Sequence, residues 1–183
     1  EELDILQSRV DEARAVLNEK GAALSARRAE AAPRLAAEVS RHLSDLGFRQ
    51  AKFEVDLTDL DEPGSHGQEE VDFQFAPNPG EPWKPLRVIA SSGEMSRVML
   101  AVKNALADQD DIPLMVFDEI DANVGGEIAH AVGAKMNALG EKHQVVAITH
   151  MPQVASISHQ HFVVNKEVVE EKTRSTLKRA QGE

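Results

Sequence analysis

Leu-Met-Val-Phe-Asp-Glu, at positions 114–119, is the stretch that decides the fold class of this chain. Four successive apolar residues predict a short buried strand, and two carboxylates follow where it ends. Val-Val-Ala-Ile-Thr-His, at 145–150, repeats the pattern with a threonine and an imidazole at the end. Both stretches therefore predict strands of an open α/β sheet, whose ligands bind beyond the carboxyl ends of the strands.

Helical patterns alternate with these two strands. We predict strands at 113–118 and 144–149, and helices at 91–108 and 126–139. Such β and α alternation indicates a parallel sheet, and wholly apolar strands indicate that helices cover both of its faces. The fold class is therefore α/β.

The polar residues at the strand ends suit phosphate chemistry. Asp118 and Glu119 are neighbours on a strand, so they point to opposite faces and differ in role. One can hold Mg²⁺, and the other can orient or deprotonate an attacking water. His150 can contact a γ-phosphate or that water. Taken singly, a solvated acidic strand end and a structural histidine are the commoner interpretations.

Ser91-Ser92-Gly93-Glu94 opens the helix that precedes the first strand. Ser91 with Glu94 three residues later forms a capping-box pattern, which alone accounts for a helix start. The functional alternative is that Ser91, Ser92 and Gly93 present hydroxyl and N–H groups to a phosphate at a positive helix terminus. The ordered occurrence of three such signals favours the functional interpretation of all three.

The first 46 residues predict helix with an apolar seam. Residues of this seam recur at spacings of three and four, at Leu3, Leu6, Val10, Ala13 and Leu17, and Leu24 follows one heptad later. Such a seam predicts a coiled-coil arm over 1–32, with an amphipathic helix lying on a globular core as the alternative. Pro33 predicts a kink or a restart. The domain prediction is therefore an arm at 1–32 and a globular lobe at 33–183.

Further strands are predicted by polar and apolar alternation. They lie at 52–57 and 70–75, with an acidic loop at 59–68 between them, and closing strands follow at 161–164 and 167–177.

Composition excludes several classes of protein. The 183 residues include no cysteine, which excludes disulfides and thiolate metal sites. The net charge of −11 argues against a stand-alone nucleic-acid-binding module. No apolar run approaches the ~18 residues of a membrane span, so a cytosolic protein without membrane contact is expected.

Four segments resemble a known family, the ABC-type ATPase heads of the SMC-like kind. They are 91–97, 117–121, 123–126 and 148–155. The likeness is to the C-terminal lobe of such a head, and it is strongest to a bacterial branch that acts in DNA double-strand break repair and recombination. It implies a mainly parallel sheet with added antiparallel strands, and an N-terminal coiled-coil helix that returns to the head.

The resemblance also implies roles for single residues and for partners. Ser91, Ser92 and Gly93 match the ABC signature, Asp118 the Walker B aspartate that supports Mg²⁺, Glu119 the catalytic glutamate, and His150 the switch histidine. ATP would then be sandwiched between two copies of the head, and DNA would be bound by the full-length protein in the bacterial cytosol or nucleoid.

The chain departs from the family pattern at three positions and lacks one motif. Ala90 replaces a usual leucine, Ser92 the first glycine of the signature, and Gly125 an aspartate of the D-loop. The phosphate-cradling motif Gly-x-x-x-x-Gly-Lys-Ser/Thr does not occur in the sequence. We therefore expect a fragment that is inactive without its own N-terminal lobe.

Other interpretations stay open or fail on the residues. The head of another SMC-like ATPase, a transporter head and a mainly structural coiled-coil assembly module remain alternatives. A calcium loop starting at Asp121 fails, because its twelfth position is Val132 rather than glutamate. His159 and His161 provide too few ligands for structural zinc.

Overall fold

The computed structural model describes residues 1–89, 91–169 and 172–180. Ala90, the first departure from the family pattern, lies outside these described residues. The chain divides into two compact units, Glu1–Ser91 and Ser92–Glu183. The boundary between residues 32 and 33 that the sequence suggests stays a prediction.

The first unit begins with a single long helix. Helix α1 runs over Glu2–Asp45, and Pro33 lies inside it without interrupting it. The structure therefore shows no restart at Pro33, because one missing N–H donor is a small loss in a helix of 44 residues. Three apolar residues at its C-terminal end are fully buried: Val39, Leu43 and Leu46. The seam residues near its start are exposed: Leu3, Leu6, Val10 and Leu17.

A β-hairpin follows α1. Strand β1, Lys52–Gly64, pairs antiparallel with β2, Gly67–Ala76, and β2 also pairs with the short β3, Lys84–Pro85. A single 3₁₀ turn, Leu86–Val88, ends this part. The predicted loop at 59–68 is wrong, because both strands continue to a turn between Gly64 and Gly67. A two-stranded ribbon needs no buried face there, so its exposed acidic residues do not break the strands.

The tip of the hairpin lies against the middle of α1. The Arg28 guanidinium donates to the carbonyl of His66 at 2.7 Å and pairs with the Glu69 carboxylate at 3.3 Å. Gly67 has φ +121°, and a Cβ placed there would lie 2.9 Å from Arg28 Nη1 and 3.0 Å from Leu24 Cδ2. Glycine therefore allows both the turn and the close approach to the arm.

Gly67→Ala should destabilise the chain more than Gly80→Ala. Both glycines have positive φ, but an added Cβ at Gly80 meets no atom within 4 Å. The conformational cost is shared, so the difference reports displacement of the ends of the Arg28 and Leu24 side chains, on the order of 1 kcal/mol, chiefly from weakened Arg28 bonds to the hairpin. Urea unfolding of the two variants measures it. Equal losses of unfolding free energy would mean that the hairpin tip does not press on the arm.

The second unit alternates helices and strands. Its elements are α2 (Ser92–Ala105), β4 (Leu114–Phe117), α3 (Gly126–Gly140), β5 (Gln144–Ala147) and α4 (Pro152–Ala155). Strands β4 and β5 pair in parallel. The predicted parallel α/β arrangement is therefore confirmed, with α2 shorter than the predicted 91–108.

One face of the β4–β5 sheet is buried and the other is open. Met115 and Phe117 of β4 are each only 6% exposed. Four apolar side chains on the alternate positions are between 42% and 62% exposed: Leu114, Val116, Val146 and Ile148. Within the described residues, the prediction that both faces are covered is wrong. We refer to these four side chains as the open sheet face.

A second antiparallel pair follows in the described part of the chain. Strand β6, Phe162–Val169, pairs with β7, Lys172–Arg179. The predicted closing strands are confirmed as strands, but the predicted break after residue 164 is wrong, since β6 continues to Val169. Among the described residues, no helix is long and apolar enough to cross a membrane.

Candidate functional site

The start of α2 and the end of β4 meet at an exposed surface. The Ser92 hydroxyl donates to the Glu119 carboxylate, and the Ser96 hydroxyl donates to the Asp118 carbonyl at 3.0 Å. The side chains of Ser92, Asp118 and Glu119 are all open to solvent. The structure therefore brings together three of the residues that the sequence singled out, where a ligand can reach them.

Gly93 brings α2 close to the loop after β4. It is buried, and a Cβ there would lie 3.0 Å from Ala122 Cβ and 3.1 Å from the backbone oxygen of Glu119. These contacts are tighter than ordinary van der Waals packing. The second glycine of the signature pattern is therefore favoured by packing within this lobe, apart from any role toward a phosphate.

Arg97 fixes the same loop from the buried side of α2. Its guanidinium donates to the carbonyls of Ile120, at 3.5 Å, and Ala122, at 3.2 Å. Burial lowers the pKa of this guanidinium, and the charge of Glu94 opposes that effect. Sequence reasoning assigned Arg97 no role beyond the motif, although an arginine amid the apolar positions of a helix was a signal for a buried partner.

The backbone between β4 and α3 makes a tight turn. Glu119 has φ +55° and Asn123 has φ +58°, both in the left-handed region. Asparagine tolerates that region, whereas a glutamate there is uncommon and costs conformational energy. Such a conformation at an exposed carboxylate is typical of functional sites, where the surrounding contacts hold it.

Asp121 is the residue that sequence reasoning missed. Its carboxylate is only 2% exposed, and it accepts hydrogen bonds from the Thr149 hydroxyl and from the backbone N–H groups of His150 and Met151, each at 3.2 Å. Burial acts to raise its pKa, but the bonds from Thr149 and Met151 and the charge of His150 outweigh it and hold the pKa below the usual value. The carboxylate is thus kept ionised.

His150 connects to this strand end through Asp121. Its Nδ1 lies 3.5 Å from the Asp121 carboxylate, while 75% of its side chain is exposed. Ser91, directly before α2, is half-buried, and its capping role stays a prediction. The predicted site residues of the second unit therefore lie on one loop system, with His150 joined to the others indirectly.

The donor set suits a cation that keeps most of its own water. Within the described residues, no group of three or more histidine, aspartate or glutamate side chains is placed to hold a metal. Mg²⁺ needs no such cage, because it binds through one or two carboxylates, waters and substrate phosphates. The exposed Asp118 carboxylate fits that mode of binding.

No family model matches the chain. It is 40% identical over 177 residues to the DNA repair protein RecN of Xylella fastidiosa, a match that covers 96% of this chain and 32% of that protein. The segment is homologous to RecN. The RecN of Deinococcus radiodurans is 39% identical over 178 residues, covering 97% of the chain and 31% of the relative. The chain therefore spans about a third of the length of these RecN relatives.

Solved structures establish the fold of the RecN-like segment. The Smc head domain with a coiled coil and joint from Pyrococcus yayanosii matches with a TM-score of 0.63, at 18% identity over 96% of this chain and 32% of that one. The Smc head domain with an extended coiled coil from Pyrococcus furiosus gives 0.60, at 17% identity over 94% of this chain and 40% of that one. The SMC-like fold inferred from the sequence is confirmed.

Proposed function

We propose that this RecN-like segment is the C-terminal lobe of an ATPase head that hydrolyses ATP between two copies of the head. The observation that carries the proposal is the junction of α2 with β4, where Ser92 and Ser96 bond to the strand end that bears Asp118 and Glu119. The proposed biological role is DNA double-strand break repair, in line with the DNA repair proteins it is similar to.

The proposed roles follow from position and charge. Asp118 holds Mg²⁺, which when bound neutralises charge on the phosphates. Glu119 accepts a proton from, or orients, the attacking water, for which an exposed and ionisable side chain is needed. Ser91, Ser92 and Gly93 lie at or just before the positive N-terminus of a 14-residue helix, which suits the γ-phosphate held by a second head. His150 contacts the γ-phosphate held by its own head, or the attacking water.

The proposal requires a second lobe from the same polypeptide. No phosphate-cradling loop occurs in the sequence, so the nucleotide must be held mainly by other residues. The open sheet face supports this, since its four apolar side chains lie in or directly after the strands that carry the site. RecN relatives are about three times as long as this chain, which leaves ample sequence for such a lobe. We propose that the N-terminal lobe covers the open sheet face.

Two further partners complete the proposal. The exposed seam at the start of α1 pairs with a second helix of the coiled-coil arm, in agreement with the coiled coils of the matching Smc structures. DNA is contacted through the assembled protein, because the net charge of this segment is −11. The proposed setting is the bacterial cytosol, on the nucleoid.

Reassembly of the head tests the proposal. The chain alone should show no saturable ATP binding, whereas the chain co-expressed with the rest of its parent polypeptide should bind and hydrolyse ATP. Equilibrium binding of a fluorescent ATP analogue and phosphate release measure the two steps. Hydrolysis by the isolated chain would overturn the assignment, and so would a reassembled protein that neither binds nor hydrolyses ATP.

Val116→Asp tests the open sheet face within the same experiment. A charge placed on a face that becomes buried costs several kcal/mol, so association with the missing lobe should weaken at least 100-fold, by roughly 3 kcal/mol or more. Val168→Asp on β6 is the matched control, because Val168 is 75% exposed and lies outside that face. Equal association by both variants would place the missing lobe on another surface.

A further inference from the structure

We propose that Asp121 is a positioning residue that holds the turn carrying His150 and fixes the proton of its ring on Nδ1. This inference rests on the proposed ATPase function for its consequence, but the pairing itself is a property of the lobe alone. Asp121 belongs neither to the signature nor to the two carboxylates assigned to the magnesium and the water.

The first argument is the number of bonds that meet at one buried oxygen. Asp121 Oδ2 accepts from the Thr149 hydroxyl and from the N–H groups of His150 and Met151. Burying a carboxylate is unfavourable unless such bonds compensate for lost hydration. An anion placed there with three donors from successive residues therefore dictates the backbone conformation of the turn.

The second argument is that the two oxygens of the Asp121 carboxylate have different partners. Oδ2 binds the turn, whereas Oδ1 lies 3.5 Å from His150 Nδ1. An anion beside Nδ1 favours a proton on that nitrogen. In the neutral ring Nε2 then carries the lone pair, and in the cation both nitrogens carry protons. The ring is held at one side, while most of its surface stays open to a ligand.

The third argument is that the loop bearing Asp121 is itself fixed to α2. Arg97 donates to the carbonyls on either side of Asp121, those of Ile120 and Ala122. A displacement of α2 therefore moves the carboxylate, and with it the turn at 149–151. These contacts connect α2 with His150. Helix α2 is proposed to bind the γ-phosphate held by a second head, and His150 is proposed to act on the phosphate held by its own head.

The ring nitrogens of His150 test the pairing without nucleotide. In a ¹⁵N-labelled sample of this chain at alkaline pH, the neutral ring should carry its proton on Nδ1. In Asp121→Asn the ring should shift toward the Nε2 form that exposed histidines favour. Thr149→Val serves as control, because it removes one bond to Oδ2 and leaves the carboxylate beside the ring. An Nε2 proton in the unmodified chain overturns the inference.

Kinetics of the reassembled protein test the consequence. By analogy with carboxylates that orient functional histidines, Asp121→Asn should lower kcat roughly 10-fold or more with little change in KM for ATP. Thr149→Val should lower thermal stability and reduce kcat less than Asp121→Asn does, because it removes only one of the three bonds to Oδ2. In a double-mutant cycle, His150→Ala should add little further loss to Asp121→Asn.

The outcomes separate the inference from the proposed function. Independent, multiplicative losses from Asp121→Asn and His150→Ala would show that Asp121 does not act through the histidine. An Nδ1 proton in a reassembled protein that turns over no ATP would sustain the pairing and overturn the proposed function. If Asp121→Asn fails to fold, the ring proton of the unmodified chain still decides the question.

Discussion

Glu119→Gln in the reassembled protein should still bind ATP and should lose turnover by about 10²–10⁴-fold, the contribution typical of a positioned general base. Glutamine keeps the size of the side chain and an oxygen that accepts the Ser92 hydrogen bond. It has no carboxylate to take a proton from water. Equilibrium binding should therefore show an ATP affinity near that of the original protein, whereas phosphate release should show the lost turnover.

Asp111→Asn is the matched control for the loss of one negative charge. Asp111 is an exposed carboxylate in the segment before β4, away from the strand end that carries the site. Its replacement should leave turnover within about twofold of the original, because an exposed charge is largely screened. Unchanged turnover in Glu119→Gln would refute the assigned base, and lost ATP binding would assign Glu119 to the nucleotide rather than to the water.

Gly93→Val should destabilise the lobe and also reduce turnover. The new side chain would meet Ala122 Cβ and the Glu119 carbonyl at 3.0 and 3.1 Å, and Arg97 holds that loop in place. Crowding of this kind costs about 1–3 kcal/mol, which exceeds the helix propensity gained on losing a glycine. Because the loop carries Glu119, a shift of about 1 Å should cost on the order of 10²-fold in turnover.

Gly140→Val provides the matched comparison at the end of α3. A Cβ on Gly140 meets no atom within 4 Å, so this change should be nearly neutral for folding and activity. Chemical unfolding of the isolated chain and turnover of the reassembled protein give the two measurements. If Gly93→Val unfolds like Gly140→Val, the close packing of α2 on the loop is absent in solution.

The elements that carry the site were readable from short-range patterns. Strand β4 and most of strand β5 are apolar, and polar side chains follow within three residues of each strand end, so Asp118, Glu119 and His150 could be predicted as candidates. Helix α2 begins beside Ser91-Ser92-Gly93, where cap chemistry and a glycine mark the start. The local sequence was sufficient to predict these elements, because the residues that determine a strand, a helix cap and a strand end lie within a few positions of one another.

The role of Asp121 could not be predicted from the sequence, because its partners are far from it along the chain. Its partners Thr149, His150 and Met151 lie 28 to 30 residues further along the chain. Nothing adjacent to Asp121 distinguishes a buried carboxylate from an exposed one, and the only local pattern that begins there, a calcium loop, fails at its twelfth position. Only the parallel pairing of β4 with β5 brings the two turns together.

The hairpin and the open sheet face illustrate two further limits. Acidic residues at 59–62 indicated a loop, but strands that are solvated on both sides tolerate them. Apolar strands indicated cover on both faces, whereas the described residues cover only one face of β4 and β5. The polarity of the side chains on a strand indicates whether that surface can be buried. It does not indicate which part of the protein buries it.

The left-handed backbone at Glu119 predicts a change in thermal stability for relatives that no longer need ATP hydrolysis. A glycine at this position would relieve strain of roughly 1 kcal/mol, so loss of the proposed catalytic base would make the lobe more heat-resistant. Under the proposed function, selection for hydrolysis would retain glutamate there. An inactive descendant should accordingly be recognisable by glycine or asparagine at 119 on an otherwise intact scaffold.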